Sequence, residues 1–206
     1  MTDEEESRSG TLFRLFSIVG HASFPLMSIG FKEWALICDA LGRGRQSILL
    51  RKGGIAEGRA GFQFEHRDFL LFPTLFHEQV SQLKLPADTP LPERPGDGQI
   101  EIHYAARVEW THHITDLEVA RRLAPLHLWQ DAVIEERFRY EDKPGINLAF
   151  LRVSRLSQPW VFPDAPRYGG CRSWVTLPEL PATVTAVDVL DDRTQREREK
   201  EIRALL

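Results

Sequence analysis

Residues 34–50 read WALICDALGRGRQSILL, and the reading of this stretch decides the fold. Two apolar runs, Trp34–Cys38 and Ser47–Leu50, flank Gly42-Arg-Gly-Arg45, whose glycines accept the positive φ that a tight turn demands. The pattern predicts a β-hairpin over 31–51. Downstream, Lys52–Gly61 carries four glycines and reads as a loop, and Asp68–Phe72 as a strand. Pro73 then removes an amide, and Thr74 is placed to cap a helix from Leu75 to Leu83.

Pro86, Pro90, Pro92 and Pro95 make a stiff connection to a long strand, Gln99–Trp110. Its Ile100, Ile102, Tyr104, Ala106, Val108 and Trp110 are expected on one face. Thr115-Asp-Leu-Glu118 has the form of a capping box, opening a helix through Leu123 that Pro125 stops. Trp129–Phe138 is ambiguous between helix and strand and is read as a short helix giving way to extended chain, with strands at Ile146–Val153 and Trp174–Leu177. The charge-alternating Asp191–Leu206 reads as a helix or tail with a solvated face. Together these predict an α+β fold: a small curled mixed sheet or pseudo-barrel with two or three short helices. The expected organisation is an extension over 1–29, one globular domain over 30–180 and a charged C-terminal tail or helix over 181–206.

The chain has 206 residues with 42% apolar content and five Trp, which excludes a disordered protein. Net charge is −4, but the first ten residues carry −3 of it, and residues 30–84 hold eight basic groups against six acidic ones. Two cysteines 133 positions apart exclude a disulfide framework and a zinc ribbon, and imply reduced thiols in a cytoplasmic protein. Residues 11–30 are apolar, yet the leader before them is acidic and Arg14, His21 and Pro25 interrupt them. They are therefore read as an extension or self-association segment rather than a membrane span or signal, with translation starting at Met1 or Met27.

The densest chemistry lies at Arg51-Lys-Gly-Gly54, Phe64-Glu-His-Arg67, Phe72 and His77. Aromatic faces stack on bases, cations hold phosphate, and a carboxylate accepts from an exocyclic amine, so these residues suit a nucleobase without catalysis. The structural alternative has Phe62, Phe64, Phe69 and Phe72 filling the core. A metal-dependent nuclease using Glu65, His66, His77 and Glu78 is a second reading, and Asp97 with Glu101-Ile-His103 a weaker nuclease pattern. No HExxH, P-loop, GxSxG or GxGxxG occurs, so the sequence implies no metal and no cofactor.

Lys32-Glu-Trp-Ala35, Ala40-Leu-Gly42, Leu49-Leu-Arg-Lys-Gly-Gly-Ile55, Phe64-Glu-His-Arg67, Phe69-Leu-Leu-Phe-Pro-Thr74, His77 and Gly170-Cys-Arg-Ser-Trp-Val175 resemble the bacterial family catalogued as domain of unknown function 1802. The resemblance spans about residues 31–180. Members of that family occur beside restriction-endonuclease-like domains, which implies a role near DNA restriction. The order of elements more distantly resembles the PUA-like barrels of the ASCH and EVE groups, which bind RNA or modified bases in an aromatic cleft. That likeness implies stacking by Trp34, Phe64 and Phe72, phosphate contacts from Arg51, Lys52 and Arg67, and base-edge reading by Glu65, His66 and His77. The expected partners are DNA or RNA and, beyond them, a second copy or a partner nuclease, with no membrane.

Overall fold

The structure, a computed structural model, describes residues 28–52, 63–75, 77–93, 96, 98–140 and 144–206, with only the backbone of residues 77 and 78. The expectations for the 11–30 segment up to residue 27, for the glycine loop over 53–62 and for the side chain of His77 lie outside the described residues.

Among the described residues four α-helices accompany a mixed seven-stranded sheet that does not close, an α+β fold. The strands are β1 (Ile29–Trp34), β2 (Ile48–Arg51), β3 (Asp68–Thr74), β4 (Gln99–Ile114), β5 (Ile146–Pro163), β6 (Trp174–Thr176) and β7 (Ala186–Asp188). Their order is β2-β5-β4-β3-β1-β6, with β7 pairing on β5. The β1–β3 pair is parallel, and the other pairings are antiparallel.

The hairpin expected over 31–51 is not formed. Ala35–Gly42 is a helix, α1, that carries the chain from β1 across to β2 on β5. Every residue of it except Asp39 is buried, and a helix apolar all round shows no alternation that separates it from a buried strand. The glycine that suggested a turn closes the helix instead. Gly44 sits at φ +67°, its N–H donates to Leu41 O at 3.0 Å, and the Arg45 N–H donates to Ala40 O at 2.9 Å. That pair of bonds is a Schellman cap, which needs the same left-handed residue as a hairpin turn.

Smaller differences have equally local causes. The segment after β3 is a 3-10 helix, His77–Gln82, because the Thr74 hydroxyl donates to Glu33 O across the sheet rather than capping. Helix α2 (Leu117–Arg122) is capped by Asp116, whose carboxylate accepts from the Glu118 N–H at 2.9 Å, not by Thr115. Helix α3 spans Asp131–Arg139. The β4–β5 register slips between Ile102 and Tyr104, where β5 advances from Trp160 to Arg155. Side chains alternate in a strand, so the slip splits the expected single face. Ile102 and Ala105 pack with Phe72, Trp160 and Tyr168, while Ala106 and Val108 join the larger core of α1, β2 and β5.

Helix α4 (Asp192–Leu205) docks on the domain. Arg152 of β5 reaches Glu109 at 2.8 Å, Asp188 at 3.1 Å and Asp192 at 2.8 Å, while buried Gln195 donates to Glu109 and to Leu151 O. Ile202 is buried in the larger core.

Gly42 ends α1 against the Tyr104 ring, and a Cβ there would lie 2.0 Å from the ring carbon. Gly42→Ala should therefore cost about 1–3 kcal/mol in urea unfolding by forcing Tyr104 aside. On a Tyr104→Ala background the same change should be neutral or stabilise by up to about 1 kcal/mol, since alanine suits a helix better. An equal cost in both backgrounds would contradict this packing.

His127 is 4% exposed, and its Nδ1 accepts from the Trp129 N–H at 3.2 Å. Burial, helped by the Lys84 charge, pulls the imidazole from 6.5 down to about 4. The unfolded chain takes up a proton below about pH 6.5 while the fold resists, so stability falls as pH drops toward 4 and levels below it. The loss is about 3 kcal/mol at most. His127→Gln should flatten the stability profile between pH 7 and 4.5, and an unchanged slope would contradict this origin.

Candidate nucleic-acid interface

Strand β1 divides the chemistry, because consecutive side chains point to opposite faces. Lys32 faces a cavity of about 790 Å³, while Phe31 and Glu33 face the core. The cavity lies between α1, the ends of β3 and β4, and the segment Asp164–Gly169.

Lys32 builds one wall. Its Nζ donates to Tyr168 O at 2.8 Å and Gly170 O at 2.7 Å, fixing the turn whose Gly170 adopts φ +78°. An ammonium has three N–H groups, so one is left for a ligand. Burial lowers the Lys32 pKa, with Cys171 acting against that shift and Arg172 reinforcing it. Phe72 and Tyr168, 5.7 Å apart, bring aromatic surface to this wall. Both are buried.

Arg155 builds the other. One of its amines donates to Gly42 O at 3.1 Å, and its guanidinium lies 5.3 Å from the Tyr104 ring centre. No carboxylate pairs with Arg155 or Lys32 among the described residues. Acceptors are present too. Glu101 lies 3.4 Å from His103, and Asp39, Glu93 and Asp164 also line the space. Cys38 borders the cavity as an inert group, since burial pushes its thiol well up.

Of the nucleic-acid-binding residues expected from the sequence, Phe72 alone lines the cavity among those described, joined by Glu101 and His103 of the weaker nuclease pattern. Phe64, Arg51 and His66 gather elsewhere, around Phe31 and Trp174. Phe31 lies 6.0 Å from Phe64 and 4.7 Å from Trp174, Arg51 sits 4.8 Å over Phe31, and His66 meets Trp174 at 4.9 Å. Glu65 and Arg67 are exposed, ahead of the start of β3, whereas the cavity uses its end. Trp34 packs on Trp129 at 4.4 Å. Lys52 donates to Gly145 O at 3.0 Å. Arg51 turns inward, donating to Lys32 O and lying 3.5 Å from Glu33.

Lys32, Tyr104, Arg155 and Tyr168 were missed as site residues. For Lys32 a signal existed: Lys32 and Glu33 are adjacent charges in the strand Ile29–Trp34, alternation sends them to opposite faces, and each needs a polar destination. Arg155 and Tyr168 come from parts of the chain more than 110 residues away from α1, and only folding brings them there.

Among the described residues no three His, Cys, Asp or Glu side chains gather closely enough to hold a metal, and no helix is long and apolar enough to cross a membrane. No curated protein matches the chain. The crystal structure of ASCH from Zymomonas mobilis is similar at a TM-score of 0.43 and 11% identity, covering 73% of this chain and 87% of that one. A mutant of the same protein gives 0.41 over 89% of its chain. The family described as Domain of unknown function (DUF1802) matches residues 30–201, most of the chain including the greater part of α4, and the chain belongs to that family.

Proposed function

We propose that this domain is a non-catalytic nucleic-acid-binding module that takes an unpaired base, with a modified base as its natural target, into the cavity beside Lys32. The observation that carries the reading is the lining itself. Aromatic rings (Phe72, Tyr104, Tyr168) share one space with two cations lacking carboxylate partners and with carboxylates able to accept from a base edge. A volume near 790 Å³ suits one nucleotide unit, since small-ligand sites run from roughly 300 to 1,000 Å³. Stacking contributes about 1–3 kcal/mol per base and the cations hold the phosphates, so binding energy and selectivity come from different parts of the lining.

Arg67 and Glu65, exposed before β3, extend the contact surface along the strand in this reading. Arg51 and His66 support the aromatic core behind it. A place beside DNA restriction enzymes is the context that the family's resemblance implied, and a modified base is the chemical mark such systems discriminate.

Fluorescence anisotropy with plain and modified single-stranded DNA and RNA tests the reading. Affinity should fall steeply with salt, and Arg155→Ala should weaken it about tenfold and reduce the salt slope by about one. Phe72→Ala should reduce the preference for a modified base, with circular dichroism confirming the fold. Absence of binding at low salt to every substrate would overturn the proposal.

A further inference from the structure

The cavity beside Lys32 extends into a split in the sheet. Its lining comes from both faces, with Cys38 and Asp39 of α1 on one and Phe72 and Tyr168 on the other. It also takes consecutive residues, 71–75 from β3 and just beyond it and 99–101 from β4. Side chains alternate between faces along a strand, so a space touched by consecutive residues lies at the strand's edge. The ladders locate that edge. β3 pairs with β4 only from Asp68 to Leu70, yet stays on β1 as far as Thr74, while β4 pairs with β5 from Gln99 onward. The two strands part beyond Leu70, beside the register slip between Ile102 and Tyr104, and the cavity occupies the opening.

Main-chain groups alternate too, every second residue turning its N–H and C=O to the same neighbour. The Val108 N–H donates to Arg67 O at 2.8 Å, so Phe69, Leu71 and Pro73 aim their main chain toward the β4 side. The Asp164 N–H donates to Gly98 O at 2.8 Å, so Ile100 and Ile102 aim at β5, and Gln99 and Glu101 at the split. Proline has no N–H. Beyond the last rung, the β3 edge therefore offers the carbonyls of Leu71 and Pro73 with no donor between them. A proline is tolerated inside a sheet where its nitrogen faces no partner strand, and the split is such a place. The carboxylates of Glu93, Glu101 and Asp164 line the same space and add acceptors. Rings stand on both sides of it: Phe72 and Tyr168 on one, Tyr104 against the end of α1 on the other.

We infer, resting on the base-binding reading, that the base lies edge-on in this split between the rings, and that the β3 edge selects an amino-bearing base, cytosine or adenine, over uracil or thymine. An exocyclic amino group has two N–H donors, and both find acceptors among the Leu71 and Pro73 carbonyls and the carboxylates. Uracil and thymine carry a single N–H between two carbonyls, whose oxygens meet the acceptor edge and stay unpaired. The choice is made by main chain. Truncating a β3 side chain leaves it in place, whereas restoring one N–H at position 73 removes it.

The test is fluorescence anisotropy of the full-length protein with labelled oligo-dC, oligo-dA and oligo-dT, and with oligo-C and oligo-U as the RNA counterparts. The amino-bearing strands should bind at least about tenfold tighter than oligo-dT or oligo-U, with equal salt dependence because the phosphate contacts are common to all. Pro73→Ala restores an N–H aimed into the split and leaves both carbonyls. It should bring oligo-dC and oligo-dT to within about threefold of each other, mainly by tightening oligo-dT. Pro73→Val suits a strand, supplies the same N–H and serves if Pro73→Ala fails to fold. Equal binding of the amino-bearing and keto strands by the wild type, or a preference unmoved in a folded Pro73 variant, would overturn the inference and leave base binding standing. Failure of every strand to bind at low salt would overturn the base-binding reading and this inference with it.

Discussion

Glu33 is an ionisable residue at 1% exposure in the middle of a sheet, and much of the molecule is arranged to make that tolerable. A buried carboxylate requires a countercharge and donors, or it costs several kcal/mol. It receives the Trp34 N–H and the Arg51 guanidinium, while its own carbonyl accepts from Thr74 and lies 3.8 Å from the Cys38 thiol. Four elements, β1, α1, β2 and β3, are thereby fixed to one residue. The parallel β1–β3 pair keeps its register, with Trp34 opposite Thr74, in part because that hydroxyl crosses between the strands.

The same alternation that buries Glu33 turns Lys32 the other way. Phe31, Lys32 and Glu33 serve three purposes within one strand: an aromatic hub, the clamp on the Tyr168–Gly170 turn, and the buried anion. The two polar regions of the protein therefore lie back to back across β1. One is open, with a mixed lining of rings and both signs of charge. The other is closed around the contact between Glu33 and Arg51.

How much of this the sequence discloses depends on whether the signal is local. The strands starting at Asp68, Gln99 and Ile146 announce themselves by composition and by period, and the family by its motifs, although β4 runs on to Ile114 and β5 to Pro163, past the expected ends at Trp110 and Val153. The segment 34–44 misleads because burial erases periodicity and because a Schellman glycine and a turn glycine are the same residue in the same conformation. The split of the β4 face escapes because a register slip is set by the partner strand, which lies about 50 residues downstream. Of the aromatic and basic residues of 51–72, Arg51, Phe64 and His66 share one largely packed cluster around Phe31 and Trp174, while Lys52 and Phe72 lie elsewhere. Phe72 reaches the cavity because it occupies the opposite face of its strand.

In the proposed function a base enters the cavity between the Lys32 turn and the Arg155–Tyr104 wall. Ultraviolet crosslinking of the protein to a bound oligonucleotide, with the adducts located by mass spectrometry, tests this most directly. Adducts on Phe72, Tyr104 or Tyr168 are expected. Adducts confined to the 63–67 segment or to the C-terminal helix, with the cavity rings unmodified, would contradict it.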